Sequence, residues 1–150
     1  RLKSVSNVGI TSRHSEAMVV RAAKAIIIDK DGDVLVVRRS DTHPYVPLTP
    51  DLPGGKIEDG ETVVEGLLRE LREEIGLEVA PTDVKEIKTE QINNYFGKDY
   101  QVSLYELRLE KKCHIQMDFE HDMYEWIPLA KLQIVGDIYV PLVEYYKSMV

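Results

Sequence analysis

At 150 residues, 43% apolar and 30% charged, the chain has the size and composition of one folded domain with a real core, and two domains are not expected. No run of about 18 apolar residues occurs, which excludes a membrane-spanning helix. The formal net charge of −7, with no basic stretch, excludes a general nucleic-acid binder but leaves room for a small anionic substrate if a metal supplies positive charge.

Residues 1–17 are expected to form a loose arm or an edge strand. Arg1 to Glu16 is polar and lacks the apolar segment of a secretory signal, and the missing initiator Met points to processing or trimming. From Met18 to Asp29, branched residues predict a strand that becomes continuously apolar at Ile26, Ile27 and Ile28. Lys30 to Asp33 predicts a tight turn around Gly32, and Val34 to Arg38 the returning strand of a hairpin.

The connection SDTHPYVPLTPDLP holds Pro44, Pro47, Pro50 and Pro53, too many for a helix or a central strand. It reads equally as a binding loop or as a proline-stiffened surface loop, and His43 within it reads as solvated. Gly54 and Gly55 then allow a sharp turn with close backbone approach, and Gly60 marks a second turn. Thr62 and Glu65 form a capping-box pattern, and Gly76 ends the helix they begin, which sets its length at about 13 residues.

On a helical wheel, Val64, Leu68, Leu71 and Ile75 share one face with Leu67 at its margin, and the glutamates fall opposite. With Val64 at zero, Glu73 lies near 180°, Glu70 near 240° and Glu74 near 280°. Such like-charge pairs disfavour a bare helix by roughly 0.2 to 0.5 kcal/mol each. Arg69 sits where it can pair with Glu65 and Glu73. Gly66, in the same sector, costs about 1 kcal/mol relative to alanine and is expected to leave room for a cation beside Glu70 and Glu73. On spacing alone, the sector reads either as a solvated acidic face or as a platform for a hard divalent cation.

Strands are predicted over Val84 to Ile92 and Tyr100 to Leu109, joined by a turn over Asn93 to Asp99, with a β-bulge after Tyr105 where the alternation slips. Ile115, Met117 and Phe119 predict a short strand ahead of the acidic loop FEHD, and Tyr124 to Ile127 a further strand stopped by Pro128. Leu129 to Leu132 reads as one helical turn. Pro141 to Met149 reads as a helix begun by its proline. An α+β or αβα sandwich follows, with no internal repeat. Cys113, the single cysteine, cannot close an internal disulfide, which agrees with a cytoplasmic setting.

From Gly55 to Leu77 the chain resembles the Nudix hydrolases, matching their signature at every specified position: Gly55, five residues, Glu61, seven residues, then RELREEIGL. The resemblance implies a mixed, curved β-sheet between helices, in a single domain over residues 1–150. It also implies hydrolysis of a diphosphate bond in a nucleoside diphosphate linked to X, with Mg²⁺ as cofactor and Mn²⁺ as a substitute. Carried over by position, Glu70, Glu73 and Glu74 would bind metal with the Gly55 carbonyl, Arg69 would orient the carboxylates, and Glu61 would brace the loop.

The family's later acid, a further metal ligand or general base, would be Glu120, with Asp118 and Asp122 as rivals. His121 would donate to phosphate or be solvated. Arg38 or Arg39 would hold a phosphate or else face water as a strand-end charge, and Tyr95, Phe96 or Trp126 would stack on a base or else serve packing. The expected partner is a small nucleotide, and the protein is expected as a monomer or homodimer. Nucleoside triphosphate pyrophosphohydrolysis is the leading expectation; the prolines that accompany ADP-ribose hydrolysis are not seen at the expected distance, and the coenzyme A hydrolase pattern is incomplete, with Leu52 where phenylalanine is expected. ADP-ribose, dinucleoside polyphosphate or nucleotide-sugar hydrolysis are alternatives, with Tyr95 spaced as in dinucleoside polyphosphate hydrolases. A non-hydrolytic sensor that keeps the fold is the alternative from another class.

Overall fold

A strand whose two faces are both apolar needs two covers, and the chain supplies both. The structure, a computed structural model, describes residues 19–39, 50–117, 121–134 and 138–150, with backbone alone at 121 and 122. Strand β1 (Val19–Asp29) directs Ala23, Ala25 and Ile27 into one buried cluster and Ile26 and Ile28 into another. This double burial is why its second half reads as an unbroken apolar run.

Around β1 lie β2 (Asp33–Arg39), β3 (Pro50–Asp51), β4 (Gly54–Lys56), β5 (Val84–Tyr95), β6 (Lys98–Leu109) and β7 (His121–Pro128). The sheet runs β3-β2-β1-β6-β5, with β4 beside β1 and β7 beside β2. β1 and β6 are parallel from Val19↔Asp99 to Asp29↔Leu109, whereas the other pairs are antiparallel. The sheet is therefore mixed, as expected.

Helix α1 (Val63–Ile75) covers Ala23, Ala25, Ile27, Leu35, Val37, Tyr105 and Leu107. Helix α2 (Val140–Met149), with its proline in the first turn, covers the other face through Leu142, Val143 and Tyr146. The architecture is an αβα sandwich. No helix among the described residues is long and apolar enough to cross a membrane.

The predicted hairpin forms, with Gly32 at φ 85°. The expected turn over Asn93 to Asp99 is shorter than its composition implied, because the β5–β6 ladder continues to Tyr95↔Lys98 and only Phe96 and Gly97 turn. Asn94, at φ 57°, leaves the ladder and donates its N–H to Asp99 Oδ1 at 2.9 Å.

The bulge expected in β6 lies on its partner. Glu86↔Tyr105 is followed by Lys88↔Leu104, so Ile87 is the extra residue. Within β6, Val102 and Leu104 face α2 while Tyr105 and Leu107 face α1, and the apparent slip is two complete alternations superimposed. The short strand expected around Ile115 is irregular chain instead: Ile115 packs under α1, and Gln116 N–H donates to Ile75 O at 2.9 Å. Pro50 and Asp51, expected within a loop, form a two-residue edge strand on β2, where a missing N–H is tolerated.

Candidate active site

Helix α1 is delimited by its own sequence. Thr62 Oγ1 accepts from Glu65 N–H at 3.1 Å, and Glu65 Oε1 accepts from Thr62 N–H at 2.8 Å. Glu65 is thus used in the cap, leaving Arg69 to Glu73 and the loop. At the far end Gly76 adopts φ 69°, and Leu77 N–H closes onto Leu71 O at 3.2 Å.

The helix is rolled relative to the expected face. Leu67, placed at the margin by periodicity, is fully buried with Leu71 and Ile75, whereas Val64 and Leu68 are only partly covered. The roll carries Glu74, about 20° from Leu67 on the wheel, to the edge of the core. The three glutamates therefore occupy different environments: Glu74 is 6% exposed, the Glu70 side chain 21% and the Glu73 side chain 59%. They do not all fall opposite the core.

Two glycines, expected to form a sharp turn but paired in β4 with Lys24 and Ala23, set the close approach of helix and strand. Gly54 N–H donates to Glu74 Oε1 at 3.1 Å. A Cβ on Gly55 would stand 2.6 Å from the Glu70 carboxyl carbon, so only glycine admits that carboxylate here. Gly66 has a different use from the one expected. Its bare Cα faces Ile57 Cδ1, at 2.6 Å from where a Cβ would lie, and Glu61 Oε1, at 2.9 Å. The space is filled by the loop, which locks onto the helix there.

Arg69 joins these parts. Its Nε donates to Glu61 Oε2 at 2.7 Å and its Nη2 to Glu61 Oε1 at 3.1 Å, a bidentate pair. Nη1 reaches Glu70 at 3.2 Å and Glu73 at 3.1 Å, and Nη2 reaches Lys56 O at 3.0 Å. Glu61 Oε1 also accepts Glu58 N–H at 2.8 Å. The Arg69 guanidinium, assisted by that N–H, holds the Glu61 carboxyl down to about 2, and Glu61 in turn raises Arg69. Arg21, unremarked in the sequence because it lies 40 positions away on β1, donates to Glu61 O at 3.1 Å and Glu58 O at 3.2 Å.

Comparison with known proteins decides the family. The model of the NUDIX domain matches residues 18–145. The chain belongs to the NUDIX domain family. An 8-oxo-dGTP diphosphatase of Proteus vulgaris is 42% identical over 57 residues, 38% of this chain and 50% of that protein. An ADP-ribose pyrophosphatase of Methanocaldococcus jannaschii is 45% identical over 51 residues, 34% of this chain and 29% of that protein. The chain thus spans half or less of these two relatives. The crystal structure of a MutT protein from Methanosarcina mazei Go1 superposes with a TM-score of 0.71 at 23% identity, covering 87% of this chain and 94% of that one, a likeness of fold.

Members of the NUDIX family generally use divalent metal ions. Among the described residues, no three His, Cys, Asp or Glu side chains form a ready-made metal cage. Arg69 draws Glu70 and Glu73 towards itself while Gly54 N–H holds Glu74. Mg²⁺ needs only one or two carboxylates and fills its other positions with water and substrate phosphates. Glu70 and Glu74, one turn apart beside the bare backbone of Gly54 and Gly55, fit such an open, hard-oxygen site.

The remaining expected residues are dispersed. Arg39 is buried and paired with Asp51 at 3.0 Å, and Arg38, half-buried, stands opposite Met123 in the β2–β7 ladder. Tyr95 and Phe96 come together edge to face at 4.7 Å at the β5–β6 tip, with Phe96 88% exposed. That tip adjoins Val19, roughly 13 Å along β1 from Ala23, where Gly55 pairs. Trp126 is half-buried against the α1-side core, with Lys112 Nζ 5.7 Å from its ring centre. The arm, His43, Asp118 and Glu120 lie outside the described residues, as do the side chains of His121 and Asp122.

Proposed function

We propose that this NUDIX domain hydrolyses a diphosphate bond in a nucleoside diphosphate linked to X, with Mg²⁺ as cofactor and Mn²⁺ as a substitute. The observation that carries the reading is the joint placement of Glu70 on Gly55 and Glu74 on Gly54 N–H, with Arg69 bonded to Glu61, Glu70 and Glu73. A solvated acidic face has no need of glycine-only contacts or of a bidentate arginine.

A diphosphate repels an incoming oxygen nucleophile, and bound divalent metal would supply charge on the nonbridging oxygens and lower the pKa of water. Glu70 and Glu74 would hold that charge beside Gly54 and Gly55 of β4, with Glu73 and the Gly55 carbonyl as further donors. Arg69 bridges the Glu70 and Glu73 carboxylates through Nη1 and so orients them. The water oxygen bonds to phosphorus as the bridging P–O bond breaks towards the leaving phosphate. We assign the water's proton to Glu120, from its place in FEHDMYEWIPL.

For X, we favour a nucleoside triphosphate. The relatives from Proteus vulgaris and Escherichia coli are named as 8-oxo-dGTP diphosphatases. The test is incubation with Mg²⁺ and a panel of nucleoside triphosphates, ADP-ribose and dinucleoside polyphosphates, reading phosphate-containing products. Turnover of a triphosphate is expected, and folded protein that turns over no member refutes the enzyme reading.

A further inference from the structure

Behind Gly54 and Gly55 at the start of β4, three charged side chains meet in a nearly dry interior. Lys24 on β1, Arg39 at the end of β2 and Asp51 on β3 are each less than a tenth exposed. Asp51 Oδ1 receives Lys24 Nζ and, at 2.8 Å, the N–H of Leu52, while Oδ2 receives Arg39 at 3.0 Å. One carboxylate thus ties two neighbouring strands to Leu52.

The segment from Leu52 to Gly54 transmits that constraint over three residues. Pro53 O accepts Ala25 N–H at 2.9 Å, and Gly54 pairs with Lys24, the residue whose side chain holds Asp51. Gly54 is pressed so closely on β1 that a Cβ would lie 2.2 Å from Ala23 O. Its N–H is then presented to Glu74. Resting on the metal-carboxylate reading above, we propose that Asp51 is a positioning residue: by holding Lys24 and Arg39 it fixes the Gly54 N–H and, through it, the Glu74 carboxylate. An outer partner that orients a ligand in this way typically affects metal affinity or activity about 10- to 100-fold.

Asp51→Asn tests this, since it removes the charge while retaining an oxygen for Leu52 N–H. Three readings are taken: hydrogen exchange of the Gly54 amide in metal-free protein, Mn²⁺ affinity by electron paramagnetic resonance without nucleotide, and kcat against KM. Expected are faster Gly54 exchange, Mn²⁺ binding weakened about 10-fold, and a fall in kcat with KM nearly unchanged. If Asp51→Asn does not fold, Asp51→Glu, which keeps the charge on a longer arm, is expected to shift the same readings in the same direction by less. A folded variant with wild-type Gly54 exchange and Mn²⁺ affinity overturns the proposal. Wild-type protein that binds Mn²⁺ but turns over no nucleotide refutes the hydrolase reading instead, and the exchange and Mn²⁺ results still decide the role of Asp51.

Discussion

One guanidinium, that of Arg69, reaches Glu61 twice, Glu70, Glu73 and the Lys56 carbonyl, and it holds the Glu61 carboxyl well below its ordinary range. Glu61 titrates near 2 in the folded protein against an ordinary value of 4.5. A depressed carboxylate contributes stability that is complete above about pH 4.5 and lost as pH falls towards 2, because there the unfolded chain binds the extra proton. The stability gap between wild type and Glu61→Gln in urea is therefore expected to narrow between pH 4.5 and 2 and stay constant above. A pH-independent gap would contradict the clamp. At Gly55 the added Cβ meets only the mobile end of Glu70. Gly55→Ala is expected to displace that carboxylate, weakening Mn²⁺ binding at little cost to the melting temperature, and unchanged Mn²⁺ affinity would remove Glu70 from the site.

At the scale of the helix, Gly66 sets propensity against packing. Alanine would favour α1 by about 1 kcal/mol, but its Cβ would meet Ile57 and Glu61, and overpacking costs typically 1 to 3 kcal/mol. Gly66→Ala is therefore expected to destabilise the protein in chemical denaturation despite the better helix former, and stabilisation would show that the loop can yield. The sequence was most legible in this element. Thr62, Glu65 and Gly76 mark both ends by local chemistry, so the 13-residue length could be read directly. The roll of the helix could not, because it depends on where Ile57 and the sheet press, and the wheel alone treats Leu67 as marginal. Glu74's burial follows from that roll.

Across the molecule, the strands were legible where alternation is local and misread where two buried faces overlap, as in β6, or where composition hid a strand that runs on past a break in register, as at Asn93 to Tyr95. The signature revealed Arg69 and Glu61 together, whereas Arg21 and Asp51 act through strand pairings that no local pattern encodes. On the reading proposed above, a chain with net charge −7 that holds a cation at Glu70 and Glu74 gains from binding it only when folded. Linkage gives about 2.7 kcal/mol at 100 times the dissociation constant. Mn²⁺ or Mg²⁺ is expected to raise the melting temperature and EDTA to reverse it, with Glu70→Gln blunting the shift. No metal-dependent shift in wild type would argue against a site on α1.

On the reading proposed above, the Glu70 and Glu74 carboxylates hold the metal that activates phosphate hydrolysis. The most direct test is the initial rate of Mg²⁺-dependent product release from the nucleotide panel, measured for wild type and for Glu70→Gln and Glu74→Gln at matched folded concentration. Turnover by wild type and a loss of roughly 100-fold or more in each variant is the predicted result. Equal rates in the three proteins would contradict it.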